Sequence, residues 1–214
     1  SDSDYTTLGN QVGYSNYRST IQGAVDLTVD DRNDYVMVTP SSANAVYSLG
    51  TALDLNKDRV HLVGVGANRA KNSYSITLRG DYGTLPDTEV VAVQGDGVEV
   101  TGVRFLGTLG TNAGGTMTNG VAFISGHDFW ARNVVFEDST ALWGTPPVVR
   151  GDGTGAHDAR FDDCVFAISS AINVESAGNS ALVHGGDGNK RWIFSDSVFK
   201  FGAGSVTETF FTPG

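Results

Sequence analysis

The residues best suited to chemistry gather in His157–Ile168, which reads HDARFDDCVFAI. Asp162 and Asp163 are adjacent acids, and glycoside hydrolysis needs two carboxyl groups facing one sugar, roughly 5–9 Å apart. His127-Asp128 and His157-Asp158 recur 30 residues apart. That spacing lets their imidazoles stack, as a polar turn ladder or around a shared metal ion. Trp130, and Trp143 in the loop Thr140–Pro147, offer aromatic faces on which a pyranose can stack.

Composition narrows the field. Twenty-eight Gly against five Pro, with 40% hydrophobic residues, point to short strands joined by tight turns. A net charge of −10 argues against nucleic acid or an anionic membrane as partner, since both require basic patches. It also disfavours acidic polysaccharides unless calcium bridges the charges. Cys164 is the sole cysteine, which excludes an intrachain disulfide and a Cys-based zinc cage, and it reads as a small buried hydrophobe. No metal or cofactor is expected. No apolar run approaches the ~20 residues of a membrane-spanning helix. The chain opens on Ser1 without a signal-peptide pattern, as a processed form or an excised piece would.

The elements that must position these residues come from an internal repeat. Asp96–Gly107 (DGVEVTGVRFLG), His127–Asp138 (HDFWARNVVFED), His157–Ile168 and Lys190–Phe201 (KRWIFSDSVFKF) align on Phe105, Phe136, Phe166 and Phe199, spaced 31, 30 and 33 residues apart. A further strand precedes each copy: Val90–Gln94, Val121–Ser125, Val148–Arg150 and Ala181–His184. Units of about thirty residues with two or three strands and a glycine corner bury their apolar faces only by stacking. The pattern predicts an all-β chain, a right-handed single-stranded parallel β-helix. Ser19 with Gln22 forms a capping-box arrangement ahead of Ile21, Ala24, Val25 and Val29, predicting a short amphipathic capping helix over 19–30. Residues 1–18 read as an irregular lead-in and 19–214 as one β-helix domain. Phe210–Gly214 begins another apolar strand without a cap, so an open end and a partner or further sequence beyond it are expected.

Repeat length and pattern make the chain resemble the pectate-lyase-like β-helix superfamily from about residue 19 onward. Alternation within a copy sends Val103, Val134, Cys164 and Ser197 inward, along with the phenylalanines. It places Gly102, Asn133, Asp163 and Asp196 at a corner, and Asp162 outward in a column with Thr101, Arg132 and Ser195, next to Arg132 as ion-pair partner. Polygalacturonases of this fold carry an Asn-Thr-Asp, an Asp-Asp pair, a Gly-His-Gly and an Arg-Ile-Lys. Asp162-Asp163-Cys164 matches the second and His184-Gly185 part of the third; the first and last have no counterpart. Outward carboxylates clustered as in the calcium-binding pectate lyases are not evident. Val135, Val165 and Val198 stack on an outward face to which Trp130 and Ile193 add, and a neighbouring subunit or a further segment is expected to cover them.

Ser19–Val25 (STIQGAV), Asp31–Val38 (DRNDYVMV) and Leu55–Val63 (LNKDRVHLV) resemble, in order, the capping helix, first strand and second rung of bacteriophage tail-spike, fibre and head-decoration β-helices. This resemblance implies a non-enzymatic virion structural or adhesion protein, often trimeric, assembling with itself or other virion proteins and contacting glycans, in a virion or at a cell surface. The alternative is a polysaccharide lyase or glycoside hydrolase, with Asp162, Asp163 and His184 as its catalytic candidates.

Overall fold

A computed structural model of the chain describes residues 17–40, 45–65, 76–81, 89–108, 120–138, 148–152, 157–168, 183–184, 191–200 and 211–212. Among the described residues eighteen short strands follow one another in a three-step order, each pairing in parallel with the strand one coil away. The first sheet contains β1 (Tyr35–Val38), β4 (His61–Gly64), β7 (Glu99–Thr101), β10 (Trp130–Arg132), β13 (Arg160–Asp162) and β16 (Ile193–Ser195). The second contains β2 (Ala45–Leu49), β5 (Ile76–Asp81), β8 (Arg104–Thr108), β11 (Val135–Asp138), β14 (Val165–Ile168) and β17 (Val198–Lys200). β3 (Leu53–Leu55), β6 (Glu89–Val93), β9 (Gly120–Ile124), β12 (Val149–Gly151), β15 (Val183–His184) and β18 (Phe211–Thr212) make the third. This is a right-handed parallel β-helix, as the repeat predicts.

Turning from the first sheet to the second takes one residue in the left-handed region. Gly102, Asn133, Asp163 and Asp196 hold it on successive coils, with φ of 71°, 51°, 53° and 50°. Glycine, asparagine and aspartate are the types that tolerate this conformation. A second left-handed position precedes the first sheet, at Arg59, Gly97, Asp128, Asp158 and Arg191. Beside it the backbones approach closely: a Cβ on Gly126 would run into the carbonyl of Gly95.

Inward side chains form columns along the axis. Phe105, Phe136, Phe166 and Phe199 stack with centroids 5.7, 5.5 and 5.0 Å apart, and Phe161 stacks on Phe194 at 4.9 Å. The two columns meet edge to face where Phe161 touches Phe166 at 5.4 Å. Offset-stacked and T-shaped pairs are the arrangements that ring quadrupoles favour.

The helix is shorter than expected. α1 spans Ile21–Val25, and its cap is Thr20 rather than Ser19: the Thr20 hydroxyl accepts the N–H of Gly23 at 3.1 Å. Gln22 does not close a capping box. Its amide brackets Asp54 of β3, accepting that residue's N–H at 2.9 Å and donating to its carbonyl at 3.2 Å. The unmet backbone of an edge strand competes for Gln22 and ties the helix to the first coil. Val25 is fully buried, whereas Val29, beyond the helix, is exposed. Between β2 and β3 the chain bends at Gly50-Thr51.

The proposed interface residues divide between two faces. Val135, Val165 and Val198 align in register on the second sheet, but Trp130 and Ile193 belong to the first, beyond the left-handed corner. Nor is the valine column uniformly open. Val135 is already 5% exposed within the single chain, while Val198 is 45% exposed. Alternation gives a side chain's direction and not what lies over it.

Cys164 is fully buried, its thiol donating to the carbonyls of Ala131 and Asp162. Burial pushes the thiol up to about 12, so thiolate chemistry is closed to it. A thiol reagent should label Cys164 only on unfolding, at the rate followed by fluorescence. Phe161→Ala, which opens a void between the two phenylalanine columns, should cost about 3–5 kcal/mol in urea denaturation.

Candidate functional site

Residues 36, 62, 100, 131 and 161 of the first sheet turn into the core, so their neighbours on either side face outward. In-register pairing arranges those neighbours in two columns. Tyr35, His61, Glu99, Trp130, Arg160 and Ile193 form one; Met37, Val63, Thr101, Arg132, Asp162 and Ser195 form the other. The middle four coils carry nearly all the polar groups.

At the centre stands Trp130. The Arg132 guanidinium lies 4.6 Å and that of Arg160 5.3 Å from its ring centroid, both within the range of cation–π attraction. The indole N–H donates to Asp162 Oδ2 at 2.8 Å, and Arg160 Nε meets the same oxygen at 2.8 Å. On the other side, Arg132 reaches Glu99 Oε1 at 3.4 Å. Glu99 also takes the Thr101 hydroxyl at 3.5 Å, and its Oε2 lies 3.0 Å from Nδ1 of His61. The imidazole in turn stacks on Tyr35 at 4.4 Å with planes 12° apart. A continuous chain of contacts therefore runs along the axis from Tyr35 to Arg160.

Burial raises the Asp162 carboxyl, but hydrogen bonds from Arg160, Trp130 and Ser195 outweigh it and hold the group below the usual carboxylate range. Asp162 thus stays ionised. Its expected partner, Arg132, is engaged by Glu99 instead, because the Asp162 carboxylate turns back along its own strand to Arg160.

The three catalytic candidates are not brought together. Asp162 faces outward from the first sheet; Asp163 is exposed at the left-handed corner, holding the turn. His184 lies on β15 of the third sheet, paired with Arg150 of β12. Of the aromatic pair proposed for sugar stacking, Trp130 is in the site, though two guanidinium groups attend its ring. Trp143 and the loop Thr140–Pro147 lie outside the described residues. His127 and His157 do stack, with centroids 4.9 Å apart and planes 4° apart. Parallel rings aim their lone pairs side by side rather than at one point. The geometry is that of a turn ladder. Among the described residues no group of three or more His, Cys, Asp or Glu converges on a metal position.

Reading the repeat leaves out His61 and Glu99. Glu99 occupies the position of Trp130 one copy earlier, so the register contained it. His61 is 38 residues from Glu99, too far to align by the thirty-residue spacing of the later copies.

No family model and no curated protein matches the sequence. Three solved chains match in fold, all pectin methylesterases. One is a point mutant in complex with a hexasaccharide, 12% identical, covering 83% of this chain and 62% of that one, with a TM-score of 0.48. The Aspergillus niger enzyme in deglycosylated form is 14% identical over 91% of this chain and 86% of that one, with a TM-score of 0.46. Its penultimately deglycosylated form gives 14%, 94%, 88% and 0.45. The chain spans about three fifths of the hexasaccharide-bound enzyme, and identity this low extends to the coil alone.

The expectation of a non-enzymatic virion structural or adhesion protein is corrected here. The solved chains that match this one are pectin methylesterases. The order of helix, strand and rung in Ser19–Val63 that resembles bacteriophage modules follows from closing a first coil, as the clamp of Gln22 on Asp54 illustrates.

Asp162 has its carboxyl lowered on folding from about 3.9 in the unfolded chain. Its charge therefore stabilises the fold above that unfolded value, and the contribution is lost as pH falls through the lower folded value. Asp162→Asn should be less stable than the parent near neutral pH, with the gap closing in strong acid. Urea denaturation across a pH series checks this, and a gap independent of pH would contradict it.

Proposed function

We propose that the chain acts on a polysaccharide lying along the outer face of the first sheet. The observation that carries this reading is the arrangement around Trp130: two half-exposed guanidinium groups over one indole, each also paired to a carboxylate. A guanidinium presents five donors in a planar fork. Arg132 and Arg160 therefore keep donors free for a ligand while Glu99 and Asp162 fix their direction. Such forks suit sugars that bear carboxylates, the uronates. The net charge of −10 does not oppose this, because these two arginines and two acids balance locally and the excess acid lies elsewhere on the surface.

Elimination fits the face better than hydrolysis. A glycoside hydrolase needs one carboxyl kept protonated as general acid, and Asp162 is held ionised by its partners. A lyase needs a cation beside the substrate carboxylate and a base, and the face offers arginine for the first.

The protein should bind and shorten at least one polymer in a panel of uronate-containing and neutral polysaccharides, followed by calorimetry and the ultraviolet absorbance of unsaturated ends. Arg132→Gln with Arg160→Gln should weaken binding by about tenfold or more, roughly 1.4 kcal/mol. Binding to none of the panel would sink the proposal. Methanol release from esterified pectin without new chain ends would move the chemistry to ester hydrolysis on the same face.

A further inference from the structure

We infer that His61 and Glu99 form a proton-transfer dyad, with Nε2 of His61 the base that takes a proton from the saccharide. This inference rests on the reading of the first sheet as the polysaccharide-binding face.

Glu99 Oε2 lies 3.0 Å from His61 Nδ1. A carboxylate oxygen accepts, so the Nδ1 proton is held there and the lone pair of the neutral imidazole is left on Nε2. Glu99 is itself restrained, taking Arg132 at 3.4 Å and Thr101 at 3.5 Å through its other oxygen. The imidazole is thus oriented by a group that is oriented in turn, the pattern of an activated base. Nε2, in contrast, is buried and has no hydrogen-bond partner. Buried polar atoms are nearly always paired, and one that is not calls for an explanation.

The ring's neighbour one coil before is Tyr35. It stacks on the imidazole from an edge strand and is itself 66% exposed, so its side chain has room to turn aside. The other ionisable groups around His61 are Glu99 on β7, Arg132 beyond it, and the Asp34–Arg32 pair at the entrance to β1, whose Asp34 carbonyl accepts the His61 N–H.

In the step assigned to the dyad, Nε2 takes the proton from the ring carbon that bears the carboxylate. The electrons of that C–H bond form a double bond to the adjacent ring carbon, whose bond to the glycosidic oxygen breaks. The departing oxygen takes a proton from solvent, and the imidazolium later returns its own to water. Arg132 steadies the carboxylate on which charge accumulates.

Two measurements test this. Nitrogen NMR of the free protein, with His61 assigned by its loss in His61→Gln, should show the neutral ring protonated on Nδ1, a preference lost in Glu99→Gln. A ring protonated on Nε2 would overturn the dyad without any appeal to activity. On a uronate polymer that the parent cleaves, His61→Gln should lower kcat by about a hundredfold or more with KM little changed, and should abolish the acid limb of the pH–rate profile. Glu99→Gln should lower kcat less. A parent that cleaves while His61→Gln cleaves equally well, with the same profile, overturns the dyad and leaves the face standing. A parent that binds no polymer overturns the reading of the face, and the dyad with it.

Discussion

In-register stacking of parallel strands is the constraint on which the rest of this molecule depends. Coils repeat at about 4.8 Å along the axis, and each residue's direction follows from its place in the coil. Its neighbours are then the residues one repeat before and after. Like side chains therefore accumulate in columns. Phenylalanines do so inside, where edge-to-face contacts between Phe161 and Phe166 knit two columns together. Aspartate, asparagine and glycine do so at the corners, where φ is positive. One coil alone buries little; the stack makes the core.

The same rule explains why the outer face of the first sheet can hold a site on strands of only three or four residues. A short strand places two side chains outward, too few for chemistry. Four coils in register place eight, and the hydrogen bonds among them cross from coil to coil: His61 to Glu99, Arg132 to Glu99, Trp130 to Asp162. The exceptions are Arg160 with Asp162 and Thr101 with Glu99, pairs that share a strand at a spacing of two. Residues at that spacing lie on one face and residues at odd spacings do not.

Much of the fold was legible because the repeat is regular where the corners are tight. Phe105, Phe136, Phe166 and Phe199 set the register, and Asp163 was recognisable as a corner by its equivalence with Gly102 and Asn133. The first coils were less legible. Loops of several residues part β1 from β2 and β4 from β5, where later coils turn in two, so His61 fell outside the alignment. The buried state of Val135 was illegible for another reason: direction is local, whereas coverage depends on the whole coil. Overall charge is silent on this face, since a sum over the chain says nothing about four residues that balance around one tryptophan.

Adjacent acids drew the eye in this sequence, and the geometry shows why they are poor guides on a β-helix. Asp162 and Asp163 share a peptide bond, yet one ends a strand facing outward and the other makes the turn. Two carboxylates that do share a face, Glu99 and Asp162, sit two coils apart on β7 and β13 and flank the same tryptophan and arginine on β10. On such a scaffold, groups that act together are found at a spacing of two or of whole repeats. Partners of His61 are therefore to be sought one coil away, at Tyr35 and Glu99, and Nε2 is the ring atom that neither engages in a hydrogen bond.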